Sequence, residues 1–400
     1  MSDFGEECAE CRVCSDVCPF LAEYGTPDRI LSESPETSFY CTSCRRCDAA
    51  CPLHLSPSAA FFEAKQRMVQ RNQIPSPIRK PLDGARGFAK AGHGFPFSFY
   101  ESADTLFWPG CGLAANRPGL VRKVRKILSR QLQKRVGLAL DCCYAPVIDF
   151  GDTETTFAAL QDIHKRLCDH GVRQVITGCL NCHKLLSKHL QDIRVVFILE
   201  VLPPEIFEKQ PMESIYLHHP CPSSSWETTR NHAKGLVNHI HASAHGIDEA
   251  STAHCCGSGG GLSASYPALS DRFLDRITGE AAGRTMVTYC TSCQNRFLKR
   301  GIEAIHLLEC LPGVNPRRQI PSPLRQWTNR LVLAAVQRLK TGKFLTPLII
   351  VFLLIEGVCV DQKNILSTLL PVLHRPLFRK NGKESIFQGS DLNPSKEPQR

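Results

Sequence analysis

Cysteine recurs in this chain with a regularity that few folds can absorb. Cys8-x2-Cys11-x2-Cys14-x3-Cys18-Pro19 is followed, after 22 intervening residues, by Cys41-x2-Cys44-x2-Cys47-x3-Cys51-Pro52. Three thiolates at a spacing of three wrap one face of a four-iron cube. The proline after the fourth cysteine breaks the local structure and turns that cysteine towards the other run. The spacing therefore predicts one [4Fe-4S] cluster on Cys8, Cys11, Cys14 and Cys51, and a second on Cys41, Cys44, Cys47 and Cys18. A pair of zinc sites is the competing reading. Zinc needs four ligands but no fixed cysteine–proline fourth position, and two complete copies of that pattern weigh against it.

The chain has 400 residues and 21 cysteines. Disulfide scaffolds reach such a density only in short secreted chains. The stretch from Met1 to Cys8 is acidic and has no apolar leader, so reduced thiols in a cytoplasm are expected. The net charge of +10 is largely local: seven basic and no acidic residues lie between Arg317 and Lys343. It gives no reason to expect a nucleic-acid partner. The run Gly257-Ser258-Gly259-Gly260-Gly261 lacks the ending of a P-loop, and no nucleotide or flavin motif is present. Electrons must then enter and leave through other proteins or a small substrate.

From residue 105 onward, apolar runs alternate with helical ones. Strands are expected at 105–108, 172–177, 195–199, 214–217, 285–288 and 304–308, and helices at 119–135, 153–170, 231–241 and 267–278. The alternation predicts parallel α/β sheets. A repeat is visible in the cysteines alone. Cys111, Cys142-Cys143 and Cys179-x-x-Cys182 form one set; Cys221, Cys255-Cys256 and Cys290-x-x-Cys293 form another. In each set the lone cysteine and the C-x-x-C pair follow expected strands, where α/β sheets build their sites. Five thiols exceed what zinc or one cube needs, and a vicinal pair is suited to spanning two irons of a larger cluster.

Cys255-Cys256-Gly257 and its flanking cysteines resemble the CCG cysteine-rich domain, which occurs in tandem in the catalytic subunit of heterodisulfide reductase. It also occurs in the C subunit of anaerobic glycerol-3-phosphate dehydrogenase. The resemblance covers roughly residues 8–310. It implies noncubane [4Fe-4S] clusters on Cys111, Cys142, Cys143, Cys179 and Cys182, and on Cys221, Cys255, Cys256, Cys290 and Cys293. A disulfide would be reduced between them, with Cys143 and Cys256 as catalytic candidates. One departure is that Tyr144, not glycine, follows the first vicinal pair. It narrows the expected access to the first site. The N-terminal runs, in turn, resemble the α-helical ferredoxin domains of respiratory iron–sulfur subunits.

The expected architecture is α+β and multidomain: an α-helical ferredoxin-like 2×[4Fe-4S] domain (1–72), a Pro/Gly-rich linker (73–104), two α/β cysteine-rich domains (105–212 and 213–316), a basic amphipathic and apolar membrane-association segment (317–380) and a disordered tail (381–400). Within the last segment Leu324, Trp327, Leu331, Ala335 and Leu339 recur at helical spacing, and 344–360 is apolar. Membrane contact is expected through 320–375, at the inner face of the cytoplasmic membrane. The expected partner is a redox protein: a membrane cytochrome, a quinone-linked subunit, a dehydrogenase or a ferredoxin. The functional expectation is an iron–sulfur oxidoreductase acting on a small disulfide; the alternative is an electron-transfer subunit with no substrate of its own. Cys168, Cys310 and Cys359 are read as packing residues; His218, His219 and His254, which flank the second set, are read as solvated or core histidines, the alternative being a hydrogen bond to cluster sulfur or a proton relay. The crossing of ligands gives a first prediction. Cys18→Ser should alter the paramagnetic signal of the cluster on Cys41, Cys44 and Cys47; selective loss of the other N-terminal signal would disprove the crossing.

Overall fold

The computed structural model describes residues 7–340 apart from 95, 99–101, 242–246 and 250–252. The N-terminal part is built of helices: α1 (Pro19–Tyr24), α2 (Pro27–Glu33), α3 (Pro57–Gln70) and α4 (Ser76–Ala91), with single turns between them. Pro19, Pro27 and Pro57 open their helices, where a missing N–H costs nothing. Pro19 has a further effect, since it leaves Cys18 as an extended N-cap residue (φ −133°, ψ 113°).

Helix α4 corrects the expected linker at 73–104. Its prolines and glycines suggested a draped loop, yet Pro77 lies in the first turn and Gly84 and Gly87 face open space. Ile78, Leu82 and Ala89 form one buried face that outweighs the cost of Pro81 inside the helix.

Two four-stranded parallel sheets follow. The first comprises β1 (Thr105–Trp108), β2 (Val136–Leu138), β3 (Gln174–Thr177) and β4 (Arg194–Phe197), in the order β2-β1-β3-β4. Its helices are α5 (Cys111–Asn116), α6 (Pro118–Gln131), α7 (Thr153–Asp169) and α8 (Leu180–His189). The second comprises β5 (Ile215–His218), β6 (Ile247–Glu249), β7 (Thr285–Thr288) and β8 (Ala304–His306), in the order β6-β5-β7-β8. Its helices are α9 (Glu227–Ile240), α10 (Pro267–Ala281) and α11 (Thr291–Lys299). Thr105 pairs with both Val136 and Gln174, and Ile215 with both Ile247 and Thr285, so the registers also repeat. The central strands β1 and β5 are buried throughout, as parallel sheets covered on both faces require. The six strands expected from the sequence are present; β2 and β6 were not anticipated, because three residues are too few to show a period.

Helix α12 (Pro323–Lys340) corrects a second expectation. The spacing predicts a basic amphipathic helix suited to an anionic membrane surface or an acidic partner. Instead it packs on α5, with Val332, Leu333, Ala334 and Ala335 buried. The stripe inferred from spacing is only partly the buried face: Ala335 is buried and Trp327 and Leu331 pack against the core, but Leu324 is 61% exposed and Arg330, outside the stripe, is 1% exposed. Asn329 donates to the Ala115 carbonyl at 2.7 Å and Gln337 to the Leu138 carbonyl at 2.6 Å. Among the described residues no helix is long and apolar enough to cross a membrane. The apolar run 344–360 and the tail lie outside the described residues.

The two sheets share one core, which runs from Phe107, Leu113 and Leu138 to Leu217, Val287 and Leu307. Arg317 bridges them, donating to Asn116 Oδ1 at 2.6 Å, to Gln294 Oε1 at 3.0 Å and to Asn295 Oδ1. Nearby, His306 ends β8 with Nδ1 accepting from the Leu308 N–H at 3.2 Å. Burial, reinforced by Arg317 and Arg117, pushes its pKa down to about 3. The unfolded chain takes up this proton near pH 6.5 and the folded chain does not, so His306 costs stability as pH falls from about 6.5 towards 3. In urea unfolding between pH 7 and 5, His306→Gln should lose about 2 kcal/mol less stability than the wild type, at ~1.4 kcal/mol per pH unit. Parallel pH profiles would refute this.

Candidate metal centres

In the N-terminal part, Cys18, Cys41, Cys44 and Cys47 line one cavity with Phe20, Phe61 and Phe273. Cys8, Cys11, Cys14 and Cys51 line another with Pro52 and Leu53. Each cavity thus gathers three thiols of one run and the last thiol of the other. The backbone of the runs matches as well. Glu10 and Arg12 (φ 49° and 61°) occupy the same places in the first run as Ser43 and Arg45 (φ 54° and 65°) in the second. Left-handed conformations cost roughly 1–2 kcal/mol for residues other than glycine. Two in each run, at matching positions, curl the loop around its thiols, and turns of this kind can offer backbone N–H groups to an anionic group. The Ser43 N–H already donates to Cys41 Sγ at 3.4 Å. Burial pushes the Cys41 thiol up to about 11, against the Lys65 charge, and also raises Cys18 and Cys47. Thiols that resist ionisation in isolation, on a loop shaped for an anion, fit an iron–sulfur cluster whose irons supply the positive charge.

Lys65 was not anticipated. It is fully buried on α3, and its ammonium donates to the Cys41 carbonyl at 2.6 Å and to the Asp149 carbonyl at 3.1 Å. It therefore ties the second cysteine run to the first sheet domain.

The ten later cysteines sit at the carboxyl ends of strands. Cys111 and Cys179 follow β1 and β3; Cys221 and Cys290 follow β5 and β7; the vicinal pairs follow β2 and β6. A sheet in this order reverses its winding between the first and third strands, where a crevice opens. Cys142 hydrogen-bonds Cys111, Cys143 lies 3.2 Å from Cys182, and Cys182 hydrogen-bonds Cys179. The second set repeats this pattern: Cys255 with Cys221, Cys256 with Cys293, and Cys293 with Cys290. Each vicinal pair divides its thiols between the lone cysteine and the C-x-x-C pair, as expected of ligands that span a multi-iron group. Cys179 and Cys290 are also the N-cap residues of α8 and α11, so two helix N-termini point at the sites. Hydrogen bonding from Cys182 and nearby backbone N–H groups brings Cys179 down to about 7; Cys293 does the same for Cys256. Among the described residues no three histidine, cysteine or acidic side chains converge as a site for one ion. A cluster several atoms wide is held by thiols spread farther apart.

Tyr144 and Gly257 occupy equivalent places and share a backbone. Gly257 has φ +79°, and a Cβ there would strike the Ser270 carbonyl. Tyr144 has φ +61° and buries its ring edge-on to His93 at 5.4 Å. The first site thus keeps the left-handed turn without glycine and fills the space beside it with an aromatic ring.

The centres adjoin one another. The Cys44 and Cys255 thiols hydrogen-bond each other, which brings the N-terminal cavity against the second cysteine set. Arg46, His254 and Arg276 line the same junction. A Cβ on Gly112, next to Cys111, would lie 3.4 Å from Thr291, next to Cys290, so the segments that carry these two cysteines meet across the domain boundary. His218, His219 and His254 are buried; Cys310 is buried, Cys168 is exposed, and Cys359 lies outside the described residues.

Residues 105–187 and 215–297 each match the cysteine-rich domain family CCG. The chain carries two CCG cysteine-rich domains. It is also similar to a component of the fumarate reductase (CoM/CoB) of Methanothermobacter marburgensis, its B chain, with 22% identity over 337 residues, 72% of this chain. The match spans 66% of that relative's length. Among solved structures, Picrophilus torridus aspartate racemase aligns with 61% of this chain and 96% of its own, at 11% identity and a TM-score of 0.28. A likeness that faint has no bearing on the CCG chain. The family match and the curated relative support an iron–sulfur electron-transfer protein. For the CCG turns, Gly257→Ala should lower stability by more than about 1 kcal/mol, through collision and backbone strain. Tyr144→Gly should also destabilise: it relieves ~1–2 kcal/mol of backbone strain but loses about 3–5 kcal/mol of aromatic packing. A raised urea midpoint for Tyr144→Gly would overturn this balance.

Proposed function

We propose that this CCG protein is an iron–sulfur oxidoreductase that collects electrons at its N-terminal end and uses them at the paired cysteine-rich sites to reduce a disulfide. The observation that carries this reading is the contact between Cys44 and Cys255, which joins the N-terminal thiols to the second set. In this reading the eight N-terminal cysteines hold two [4Fe-4S] clusters as paired above, and the ten later cysteines hold two noncubane clusters. When bound, such clusters supply one-electron transfer at potentials tuned by the surrounding protein. The remaining work falls to the chain. Cys11 is exposed, and Val13 and Leu53 beside it are 39% and 48% exposed, an apolar rim suited to a docking redox protein. Cys18, Cys41, Cys44 and Cys47 are buried and keep the inner site dry. Gly112 and Thr291 bring the segments that carry Cys111 and Cys290 together.

Reduction of a disulfide takes two electrons and two protons and releases two thiols. Two adjoining sites, each delivering one electron, meet that requirement. Cys143 and Cys256 are the thiols proposed to act nearest the substrate. The relative's name, as one component of a reductase, supports a separate partner protein as donor; its substrate belongs to that protein. A second reading, an electron-transfer subunit with no substrate of its own, is favoured by Tyr144, which is buried over the first site.

The test is to purify the full chain anaerobically, measure iron, reduce it with dithionite and follow reoxidation by candidate disulfides. Wild type should hold on the order of sixteen irons and be reoxidised, whereas Cys143→Ser and Cys256→Ser should lose disulfide-dependent turnover. Stoichiometric zinc with little iron would refute the cluster reading. Full iron with no reoxidation by any disulfide, but ready transfer to a redox protein, would establish the second reading.

A further inference from the structure

Arg330 is a charged side chain that is buried with no hydrogen-bond partner among the described residues. It lies on α12 and is 1% exposed. Its Nε, Nη1 and Nη2 are all buried, and none makes a hydrogen bond among the described residues. The guanidinium sits in a cage of three aromatic rings: 4.6 Å from the centroid of Phe97, 4.7 Å from Trp327 and 5.3 Å from Phe88. Such rings ease the burial of a cation, but they accept none of its five directed N–H bonds. Those donors remain costly unless something anionic faces them.

The site beyond the cage is the first cysteine set. Gly92 is where the two meet: a Cβ built there would lie 2.7 Å from Arg330 Nη2 and 3.3 Å from Cys142 Cβ. The Gly92 carbonyl accepts from the Cys142 N–H at 2.9 Å, which fixes this approach. Cys111 opens α5, the helix that α12 covers.

We propose that Arg330 is a positioning residue that donates hydrogen bonds to the sulfur of the metal cluster held by Cys111, Cys142, Cys143, Cys179 and Cys182, and that it sets this cluster's potential apart from that of its twin. The inference rests on the cluster assignment proposed above. A cation and hydrogen-bond donor beside an iron–sulfur centre favours its reduced, more negative form. Among the described residues the second sheet domain receives no equivalent of α12, because that helix packs on α5, beside Cys111. Two domains with repeated strand order and thiol pairing would thus present two unequal electron acceptors.

The test uses the full chain, purified anaerobically as wild type, Arg330→Met, Arg330→Lys and, as a control, the exposed Arg325→Met. Iron is measured, and each cluster's midpoint is read by redox titration with paramagnetic resonance. In Arg330→Met one cysteine-rich cluster should become at least tenfold harder to reduce at fixed potential, 59 mV for a one-electron couple. Arg330→Lys should shift less, and Arg325→Met and all other clusters should not move. In wild type labelled with 15N-arginine, pulsed resonance should detect a nitrogen coupling to that same cluster. Full iron with unshifted midpoints would overturn the proposal. If both Arg330 variants lose the cluster, absence of the nitrogen coupling in wild type overturns it and its presence sustains it. A wild-type chain without iron at the cysteine-rich sites would sink the cluster assignment itself, an outcome separate from any result on Arg330.

Discussion

Parallel pairing of β1 with both β2 and β3, repeated by β5 with β6 and β7, makes every strand end at the same edge of its sheet. The loops that leave those strands are therefore gathered at one edge by topology, before any side chain is considered. Cysteines some thirty residues apart in sequence meet because each lies in the loop or helix start just beyond a strand's carboxyl end. A different winding would scatter the same ten thiols over two sheet edges. The close approaches at Gly110, Gly112 and Gly257 refine an arrangement that strand order already imposes.

The legible part of this molecule was the part written in spacing. Two N-terminal runs, two five-cysteine sets and six of the strands follow from intervals between residues of one kind. The grouping of Cys18 with the second run is geometrically intelligible from Pro19, since a helix that begins at the proline leaves the preceding cysteine extended. What was not legible is whatever depends on a partner distant in sequence. Helix α4 hid behind Pro81 and its glycines because its stability comes from Ile78, Leu82 and Ala89 meeting neighbours, not from propensity. Helix α12 looked amphipathic in isolation, but its buried side includes an arginine that no hydropathy pattern would place inward. Lys65 had one weak signal: a lone lysine on the same helical face as Phe61 and Ala64.

The duplication is also a record of divergence under a fixed backbone. Both vicinal pairs are followed by a residue in the left-handed region, and only one of the two is glycine. At the second site Ser270 presses against that residue and leaves no room for a side chain; at the first, an aromatic ring fills the corresponding space beside His93. The turn keeps its conformation while its chemistry changes. The same holds for the surroundings: the first site lies under a helix with a buried cation, the second against a junction lined by Arg46, His254 and Arg276.

The contact between Cys44 and Cys255 constrains how the molecule is built, not only how it works. Both thiols are buried where two parts of the chain close on each other, under Phe20, Leu21, Leu262 and Phe273. Tyr266 and Arg272 then fasten that closure to Glu23 at 2.9 Å each. A prosthetic group too bulky to slip between packed side chains has to be installed while these surfaces are still apart. On the cluster assignment proposed above, filling the inner thiols would therefore have to precede this closure. In that reading an inner centre could be reached again only by reopening this interface, whereas Cys11 is open to solvent.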